Sequence, residues 1–279
     1  MNVILSRKGM DSRSGGIPSP ILPDGTLLSF PIPDGTSGKP YADLTYKGQS
    51  LQEIIRQVSP RFDFIKNETC HLDPDIYNGL GGRGSSWKPA YGQCDASATH
   101  LDKMGVGIGD VFLFYGMYRQ TEYREDGTLQ YTRGAPILHI IYGYMKVGEI
   151  LRDPLEIKAR CPQHPHAFNA ERGNNRLYIP DAYGTFRYDD KLVLTKRGQD
   201  SRRLWALPPF FAENGISISW QGDNRPVLKG DHAELNSVCR GQEFVITTST
   251  AELQQKLVDW VESLIAKEVS NESSSCVVR

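Results

Sequence analysis

The chain has 279 residues, of which 39% are hydrophobic and 10% aromatic, enough apolar material for one large domain or two small ones. Its 32 basic and 33 acidic residues give a net charge of −1, which argues against a protein that coats duplex DNA through excess positive charge. No apolar run reaches the roughly 18–20 residues of a membrane span, and five scattered cysteines favour a reducing cytosol. We therefore expect a soluble, cytoplasmic protein with no membrane partner.

A short apolar strand at residues 3–5 leads directly into a dense polar loop. The loop combines hydroxyl groups, two cations, a carboxylate and a glycine pair, namely Ser6, Arg7, Lys8, Asp11, Ser12, Gly15 and Gly16. Cations neutralise phosphate, and glycines let the backbone approach a ligand or turn through positive φ. We therefore expect an anion-binding loop at the carboxyl end of this strand. An ordinary solvated loop is the alternative interpretation.

Residues 17–33 contain five prolines, which fix φ and exclude a helix. Within this segment, Pro23-Asp24-Gly25-Thr26 predicts a turn. Apolar residues lie between the prolines, so the pattern predicts a buried, extended segment that braces the polar loop.

The remaining elements follow from hydrophobic periodicity. Helical spacing predicts short helices at 51–58 and 95–102, with a glycine-rich loop at 79–93 between them. Predicted strands, marked by β-branched and aromatic residues, are at 111–118, 137–147, 176–179, 192–194, 216–220 and 243–247, with a hairpin turn at 125–128. An amphipathic helix at 251–269 and a disordered tail at 270–279 complete the chain. The pattern predicts an α+β fold with a central, mostly antiparallel sheet or barrel, flanking helices and long loops.

Cys161, His164 and His166 form a Cys-x-x-His-x-His pattern that places three possible metal ligands close together in sequence. A thiolate and two imidazoles suit zinc and would leave a catalytic position open. The spacing is not a known structural zinc signature, and the signature of base deaminases is absent. We therefore assign no metal ligand and no cofactor, and we interpret His164 and His166 first as polar site or turn residues.

Three further groups have both a functional and a structural interpretation. His71, Asp73 and Asp75 form a carboxylate-rich turn, which suits Mg²⁺ coordination or the orientation of a base, although acidic turns commonly cap the next helix. His139 lies in the middle of a predicted strand, where a buried core histidine is the simplest interpretation of the residue alone. His100 has the same ambiguity on its predicted helix.

Amide groups beside carboxylates suit recognition of a base edge, because they offer donors and acceptors in one plane. Asn175 and the pair Gln242 and Glu243 have this character, and the pair opens a predicted strand. Dinucleotide-binding, Walker A, nucleophile-elbow and zincin motifs are absent, which disfavours those classes of enzyme.

Several blocks of the chain match a known pattern. The most specific are Ser6-Arg7-Lys8-Gly9-Met10-Asp11-Ser12, Ser14-Gly15-Gly16-Ile17-Pro18-Ser19-Pro20-Ile21 and Ser29-Phe30-Pro31-Ile32-Pro33-Asp34. Further blocks lie at 71–75, 91–93, 100–101, 109–114, 139–148, 164–166 and 241–245. From residue 2 to about residue 262, the chain resembles the third of the nucleotide modification-associated domain families, whose members are assigned to DNA base hypermodification. The resemblance implies one such domain over residues 1–269, followed by the tail at 270–279.

The resemblance also implies a polar pocket built on the amino-terminal loop. Its ligand would be a nucleotide or a flipped DNA base, and its partners would include other DNA-modification enzymes. In this hypothesis Asp11, His139 and His166 are the catalytic residues of a transferase or hydrolase. The substrate-binding residues would be Ser6, Arg7, Lys8, Ser12, Gly15, Gly16, Asp73, Asp75, Gln93, His100, Asn175, Gln242 and Glu243.

A non-catalytic reader of modified nucleobases is the alternative from a different class. The order Gly109-Asp110, aromatic strand, hairpin and His139-x-x-x-Gly143-Tyr144 is similar to PUA, EVE and YTH barrels, which hold flipped bases. This similarity favours a PUA-like barrel as the alternative to a mostly antiparallel sheet. A reader needs an aromatic cage, whereas an enzyme needs a base and an electrophile within hydrogen-bond reach. A scaffold for modification enzymes, the third hypothesis, would expose an apolar patch.

Overall fold

A nine-stranded, mostly antiparallel sheet curls into a half-barrel at the centre of the molecule. The computed structural model describes residues 1–35, 38–199, 201–238 and 243–274, with side chains up to residue 266. The strands are β1 (Val3–Arg7), β2 (Ser19–Ile21), β3 (Ile32–Pro33), β4 (Lys39–Pro40), β5 (Thr45–Tyr46), β6 (Gln49–Ser50), β7 (Thr69–His71), β8 (Leu80–Gly81), β9 (Tyr91–Gln93), β10 (Val111–Tyr123), β11 (Leu129–Tyr131), β12 (Ile137–Leu151), β13 (Arg176–Thr185), β14 (Leu204–Leu207), β15 (Ile216–Ile218), β16 (Val227–Lys229), β17 (His232–Asn236) and β18 (Glu243–Thr248). The α-helices are α1 (Leu51–Val58), α2 (Asp95–Lys103), α3 (Pro154–Arg160), α4 (Pro165–Phe168) and α5 (Ala251–Ser274).

The order of strands across the large sheet is β15-β18-β1-β10-β12-β13-β9, and β2 and β11 also pair with β10. β1 lies parallel to β10 and antiparallel to β18, so the amino-terminal strand is interior to the sheet. Three small sheets, β14-β17-β16, β3-β7-β4 and β6-β5-β8, surround it. This arrangement confirms the predicted α+β fold with a mostly antiparallel central sheet. The likeness to PUA-type barrels stays a prediction.

The hydrophobic core lies between the curled sheet and the elements that cover it. Val3, Ile4 and Leu5 are completely buried, because β1 has neighbouring strands on both edges and packed residues on both faces. Aromatic side chains of β10 and β13 fill the concave side, where Phe112 and Tyr178 pack edge to face. The polar loop that follows β1 is therefore attached to a rigid strand.

Helix α1 confirms its prediction from Leu51 to Val58. It begins with a capping box, in which the Ser50 hydroxyl accepts from the Glu53 N–H and the Glu53 carboxylate accepts from the Ser50 N–H. Its apolar side chains face a second core cluster that also contains residues of the proline-rich segment, such as Leu28 and Phe30. That segment is buried and extended, as predicted.

Other boundaries differ from prediction. β10, β12 and β13 are each longer than predicted. Residues 121–123 of β10 pair with β11, and β12 and β13 stay paired through register shifts near Val147. The predicted strand at 192–194 is confirmed only in part. Asp190–Leu192 is a 3₁₀ turn, in which the Asp189 carboxylate accepts from the Lys191 N–H at 3.0 Å. Val193 then forms an isolated antiparallel bridge with Ile140 of β12. The predicted loop at 79–93 contains β8 and β9. The short strands β14, β16 and β17 were not predicted.

Helix α5 extends to Ser274, past the predicted start of the tail at residue 270. Residues 275–279 lie outside the described part of the chain, so the division into a domain and a tail stays a prediction. Among the described residues, no helix combines the length and apolar character needed to cross a membrane.

Candidate functional site

Two polar cavities flank the loop that follows β1, here called the N-terminal loop (residues 8–16). The first, the histidine cavity, has a volume of about 210 Å³ and is lined by residues that include Arg7, Lys8, Asp11, His71, Asp73, Gln93, His166, Asn169, Arg172 and Asn175. The second, the arginine cavity, has a volume of about 180 Å³ and is lined by residues that include Arg7, Lys8, Asp11, Ser12, Arg13, His139, Arg202, Arg203 and Trp205. Three residues of one short sequence block therefore face both cavities.

Asp11 organises the N-terminal loop. Its Oδ1 atom accepts the backbone N–H groups of Arg13 at 2.8 Å and Ser14 at 2.9 Å. The Gly16 N–H donates back to the Asp11 carbonyl at 2.8 Å, and Arg7 Nε lies 3.7 Å from Asp11 Oδ2. The carboxylate thus fixes the loop and holds the Arg7 guanidinium beside both cavities.

Gly15 and Gly16 close the loop instead of lining either cavity. Both have positive φ, +84° and +75°, which confirms that they turn the backbone. A side chain at Gly15 would place its Cβ 2.5 Å from Met10 Sδ, whereas one at Gly16 would meet open space. A side chain at residue 15 is therefore excluded by space as well as by positive φ, whereas at residue 16 only the positive φ favours glycine.

A buried polar cluster closes the half-barrel beneath the loop. This closure network consists of Ser6, Lys8, Tyr91, Gln93 and Glu243, and its centre is the 2%-exposed Glu243. Glu243 Oε1 accepts from Gln93 Nε2 at 2.6 Å, the Tyr91 hydroxyl at 2.9 Å and the Ser6 hydroxyl at 3.3 Å. Lys8 Nζ lies 3.2 Å from the same oxygen and 4.6 Å from the centre of the Tyr91 ring. Because Gln93 belongs to β9 and Glu243 to β18, these contacts join strands at distant positions in the sheet.

Three histidines surround the Asp73 carboxylate at one end of the histidine cavity. Asp73 Oδ1 accepts from the Gly92 N–H at 2.8 Å and lies 3.3 Å from His164 Nε2. Asp73 Oδ2 lies 3.9 Å from His71 Nε2 and 4.0 Å from His166 Nε2. These groups come from the end of β7, from the turn after it and from helix α4 with its cap, so only the tertiary fold brings them together.

The cluster has a defined charge state. Burial lowers the pKa of His166 to about 4 and also lowers the pKa of His71, so both imidazoles are neutral at physiological pH. Burial alone would raise the pKa of Asp73, but the adjacent His164 and Lys8 outweigh it, and the net direction is downward. The histidine cavity therefore holds an ionised carboxylate between neutral imidazoles.

Asn175 fixes the ring of His166. His166 Nδ1 donates to Asn175 Oδ1 at 2.7 Å, and Asn175 Nδ2 donates to the His166 carbonyl at 3.0 Å. The other ring nitrogen, Nε2, consequently carries the lone pair and faces Asp73.

The predicted catalytic residues do not meet in one cavity. His166 lines the histidine cavity, His139 lines the arginine cavity, and Asp11 borders both. His139 Nδ1 accepts from Trp205 Nε1 at 3.2 Å, and burial, aided by Arg202 and Arg7, lowers the His139 pKa to about 3. His139 is therefore a neutral, hydrogen-bonded histidine beside the cations.

Three other predicted site residues lie elsewhere. Asp75 lines neither cavity and forms a 2.6 Å ion pair with Arg83. His100 Nε2 lies 3.1 Å from the Ser219 hydroxyl, outside both cavities. Gln242 lies outside the described residues, so its predicted role stays a prediction.

Sequence reasoning assigned no role to Asn169 and Arg172, which line the histidine cavity just after α4. Their proximity in sequence to His164 and His166 was the available signal. His71 was weighed as a ligand but not selected, although it faces the cavity. Cys161 packs in a small apolar cluster with Ile157 and takes no part in the His–Asp cluster.

The curled sheet and its two polar cavities define the class of protein: an α+β protein with a charged pocket at the carboxyl end of its amino-terminal strand. A family model, nucleotide modification associated domain 3, matches residues 2–247, and the chain belongs to this family. The match confirms the resemblance seen in the sequence. No curated protein and no solved structure matches the chain. The family's description associates the chain with nucleotide modification and with a partner that is a nucleic acid or related to nucleotides.

Proposed function

We propose that this protein catalyses a transferase or hydrolase step in DNA base hypermodification, on a nucleotide or a flipped base held against the N-terminal loop. The observation that carries the proposal is the composition of the histidine cavity. Cations that neutralise phosphate, the Asn169 amide, which can read a base edge, and a buried His–Asp cluster face one space. Its volume of about 210 Å³ is below the ~300–1,000 Å³ of drug-sized pockets, which suits a single base or nucleoside.

In this proposal the arginine cavity binds the phosphate of the substrate. Its described lining includes one carboxylate, Asp11, and five cations: Arg7, Lys8, Arg13, Arg202 and Arg203. Because Arg7 and Lys8 also line the histidine cavity, a nucleotide with its base there can direct its phosphate toward the arginines. A local group of cations of this kind is compatible with the net charge of −1.

The composition of the histidine cavity favours an enzyme over a reader. Among its described lining residues there is no Phe, Tyr or Trp, so the aromatic cage that a reader requires has no candidate side chains there. The same lining contains His71, Asp73 and His166, which are able to hold or move a proton. In this proposal the His–Asp cluster is the reactive part, Asp11 shapes the loop, and Gln93 and Asn175 hold the ligand-facing groups in place.

The test is mass spectrometry of nucleosides from the DNA of the native host. Strains carry the wild-type gene, a deletion, Arg7→Ala or, as a matched control, Arg124→Ala, whose arginine bonds within the exposed β10–β11 hairpin. Protein levels are measured in each strain, so that loss of folding is recognised.

We expect the deletion and Arg7→Ala to remove a modified nucleoside and to accumulate its precursor, while Arg124→Ala retains the wild-type profile. An unchanged profile in the deletion strain would overturn the proposal and favour the reader. If the modification is lost only in the deletion strain, while the Arg7→Ala protein is present at the wild-type level and fully active, the site is not at the N-terminal loop.

A further inference from the structure

The His–Asp cluster has the composition and the arrangement of a metal site. One ligand atom each from His71, Asp73 and His166 lies within 4.8 Å of the other two. Ligands bound to one ion at about 2.1 Å lie roughly 3.0–3.4 Å apart. The separations of 3.9 and 4.0 Å from Asp73 Oδ2 exceed this spacing by roughly 0.5–1 Å, and the whole set lies within 4.8 Å, so side-chain rotations of roughly an ångström would bring the three ligands onto one ion.

The outer hydrogen bonds direct the ligating atoms inward. Asn175 occupies Nδ1 of His166, and the Asp34 carboxylate lies 3.5 Å from Nδ1 of His71, which leaves both Nε2 atoms facing Asp73. Such carboxylate and amide partners on the distal nitrogen are the usual supports of metal-bound histidine. The Gly92 N–H holds Oδ1 of Asp73, so that Oδ2 remains directed at the two imidazoles.

His164 provides an independent observation. Its Nε2 atom is buried and has no hydrogen-bond partner among the described residues, although it lies 3.3 Å from Asp73 Oδ1. A buried donor left in this state is unfavourable. Movement of Asp73 toward a bound ion would allow His164 to support Oδ1 while Oδ2 ligates.

We propose that His71, Asp73 and His166 bind a divalent first-row transition-metal ion, such as Zn²⁺, with open coordination positions facing the histidine cavity. Imidazole ligands favour such ions over Mg²⁺, which prefers oxygen ligands. This site uses His166 of the Cys161-x-x-His164-x-His166 pattern but neither of the other two members as a ligand. With an ion bound, His71, Asp73 and His166 act as ligands, and this role replaces the proton-transfer role that the proposed function gives them in the metal-free protein. The role of the ion rests on the proposed function, but its binding does not.

The experiment measures metal binding by the full-length chain in the absence of any nucleotide. Protein is stripped with EDTA and titrated with Co²⁺, and the visible absorption of the bound ion is recorded. Bound Co²⁺ is then displaced with Zn²⁺, and a parallel sample receives the same concentration of Mg²⁺. The variants are His71→Gln, Asp73→Asn and His166→Gln, with Asn175→Ala as the supporting residue. Circular dichroism confirms that each variant is folded.

His232→Gln is the matched control, because His232 also lies beside carboxylates, Asp231 and Glu234, but lines neither cavity. We expect one Co²⁺ per wild-type chain, displaced by Zn²⁺ and not by Mg²⁺. Each ligand variant should weaken binding at least tenfold, and Asn175→Ala about 10–100-fold. The control should bind as the wild type does.

No Co²⁺ or Zn²⁺ binding by the folded wild-type chain, or unchanged binding in all three folded ligand variants, would overturn the metal site. Equal weakening in His232→Gln would show adventitious histidine binding and would also overturn it. None of these outcomes affects the nucleoside test, since a modification that depends on Arg7 can proceed without a metal. Conversely, an unchanged nucleoside profile would not remove a measured Co²⁺ site.

Discussion

Replacing Glu243 by glutamine should expose how much the closure network contributes to stability. Glutamine keeps the shape of the side chain and an oxygen that accepts hydrogen bonds, but it removes the negative charge. The Lys8 ammonium, whose side chain is 9% exposed, would then lie 3.2 Å from a neutral group. Because the cation cannot easily reach water, the loss is one of charge compensation in a buried position.

The expected magnitude follows from this burial. Removing one member of a buried ion pair costs about 3–5 kcal/mol. Asp73 lines the same cavity and still feels the charge of Lys8, so we expect the lower end, about 3 kcal/mol of unfolding free energy. In a chain of this size, that loss lowers the melting temperature by on the order of 6–12 °C.

The assay is urea denaturation followed by tryptophan fluorescence for Glu243→Gln, Lys8→Met and the double variant. The two single losses should add up to about 2 kcal/mol more than the loss in the double variant, since removing both charges leaves no unpaired ion. Glu149→Gln is the control, because Glu149 forms a partly exposed ion pair with Arg160, and losing such a pair should have little effect on stability. If Glu243→Gln costs no more than Glu149→Gln, the argument from a buried charge pair is refuted.

Three further predictions concern the cavities and the loop. The depressed pKa of His139 means that, as the pH falls, the unfolded chain becomes protonated before the folded chain, so the free energy of unfolding falls by about 1.4 kcal/mol per pH unit between about pH 6.5 and 3. Between pH 7 and pH 5, denaturation of the wild type should therefore show a loss of roughly 2 kcal/mol that is missing in His139→Gln. Equal losses in the two proteins would contradict the assignment of a neutral His139. Gly15→Ala should lower the melting temperature more than Gly16→Ala, because the Cβ added at residue 15 would also clash with Met10, in addition to the cost of positive φ. Similar melting temperatures of the two variants would exclude that clash. Arg202→Gln should weaken the binding of deoxynucleoside monophosphates about tenfold, since Arg202 lines the arginine cavity, and it should make this binding less dependent on salt. Calorimetric titrations measure both effects. An unchanged affinity would show that Arg202 is not part of the phosphate site.

The sequence predicts best where local signals decide the structure. β1, the N-terminal loop and α1 follow from an apolar run, a glycine pair and the helical spacing of apolar residues, all contained within a few neighbouring residues. The 3₁₀ turn at Asp190–Leu192 depends on one capping carboxylate, so the apolar pattern extends the predicted strand into it, while Val193 after the turn does bridge to β12.

The candidate site could be predicted only in part, because its contacts are long-range. Gln93 and Glu243 were each selected as polar residues, but they are 150 residues apart, and no local pattern indicates their hydrogen bond. The same holds for His71 and His166, whose shared neighbour Asp73 becomes visible only when β7 and α4 are packed together. Conversely, His139 and His166 were grouped by residue type, and the N-terminal loop separates their cavities.

The position of Lys8 makes ligand binding and the shape of the sheet thermodynamically linked. One ammonium group neutralises the carboxylate that joins β9 to β18, and the same residue faces both cavities. A phosphate bound as proposed would compete with Glu243 for this ammonium, so phosphate binding and the Lys8–Glu243 ion pair would be coupled, each weakening the other by the same factor. Amide hydrogen exchange at β9 and β18, far from each other in the order of strands, should therefore report whether the cavity is filled.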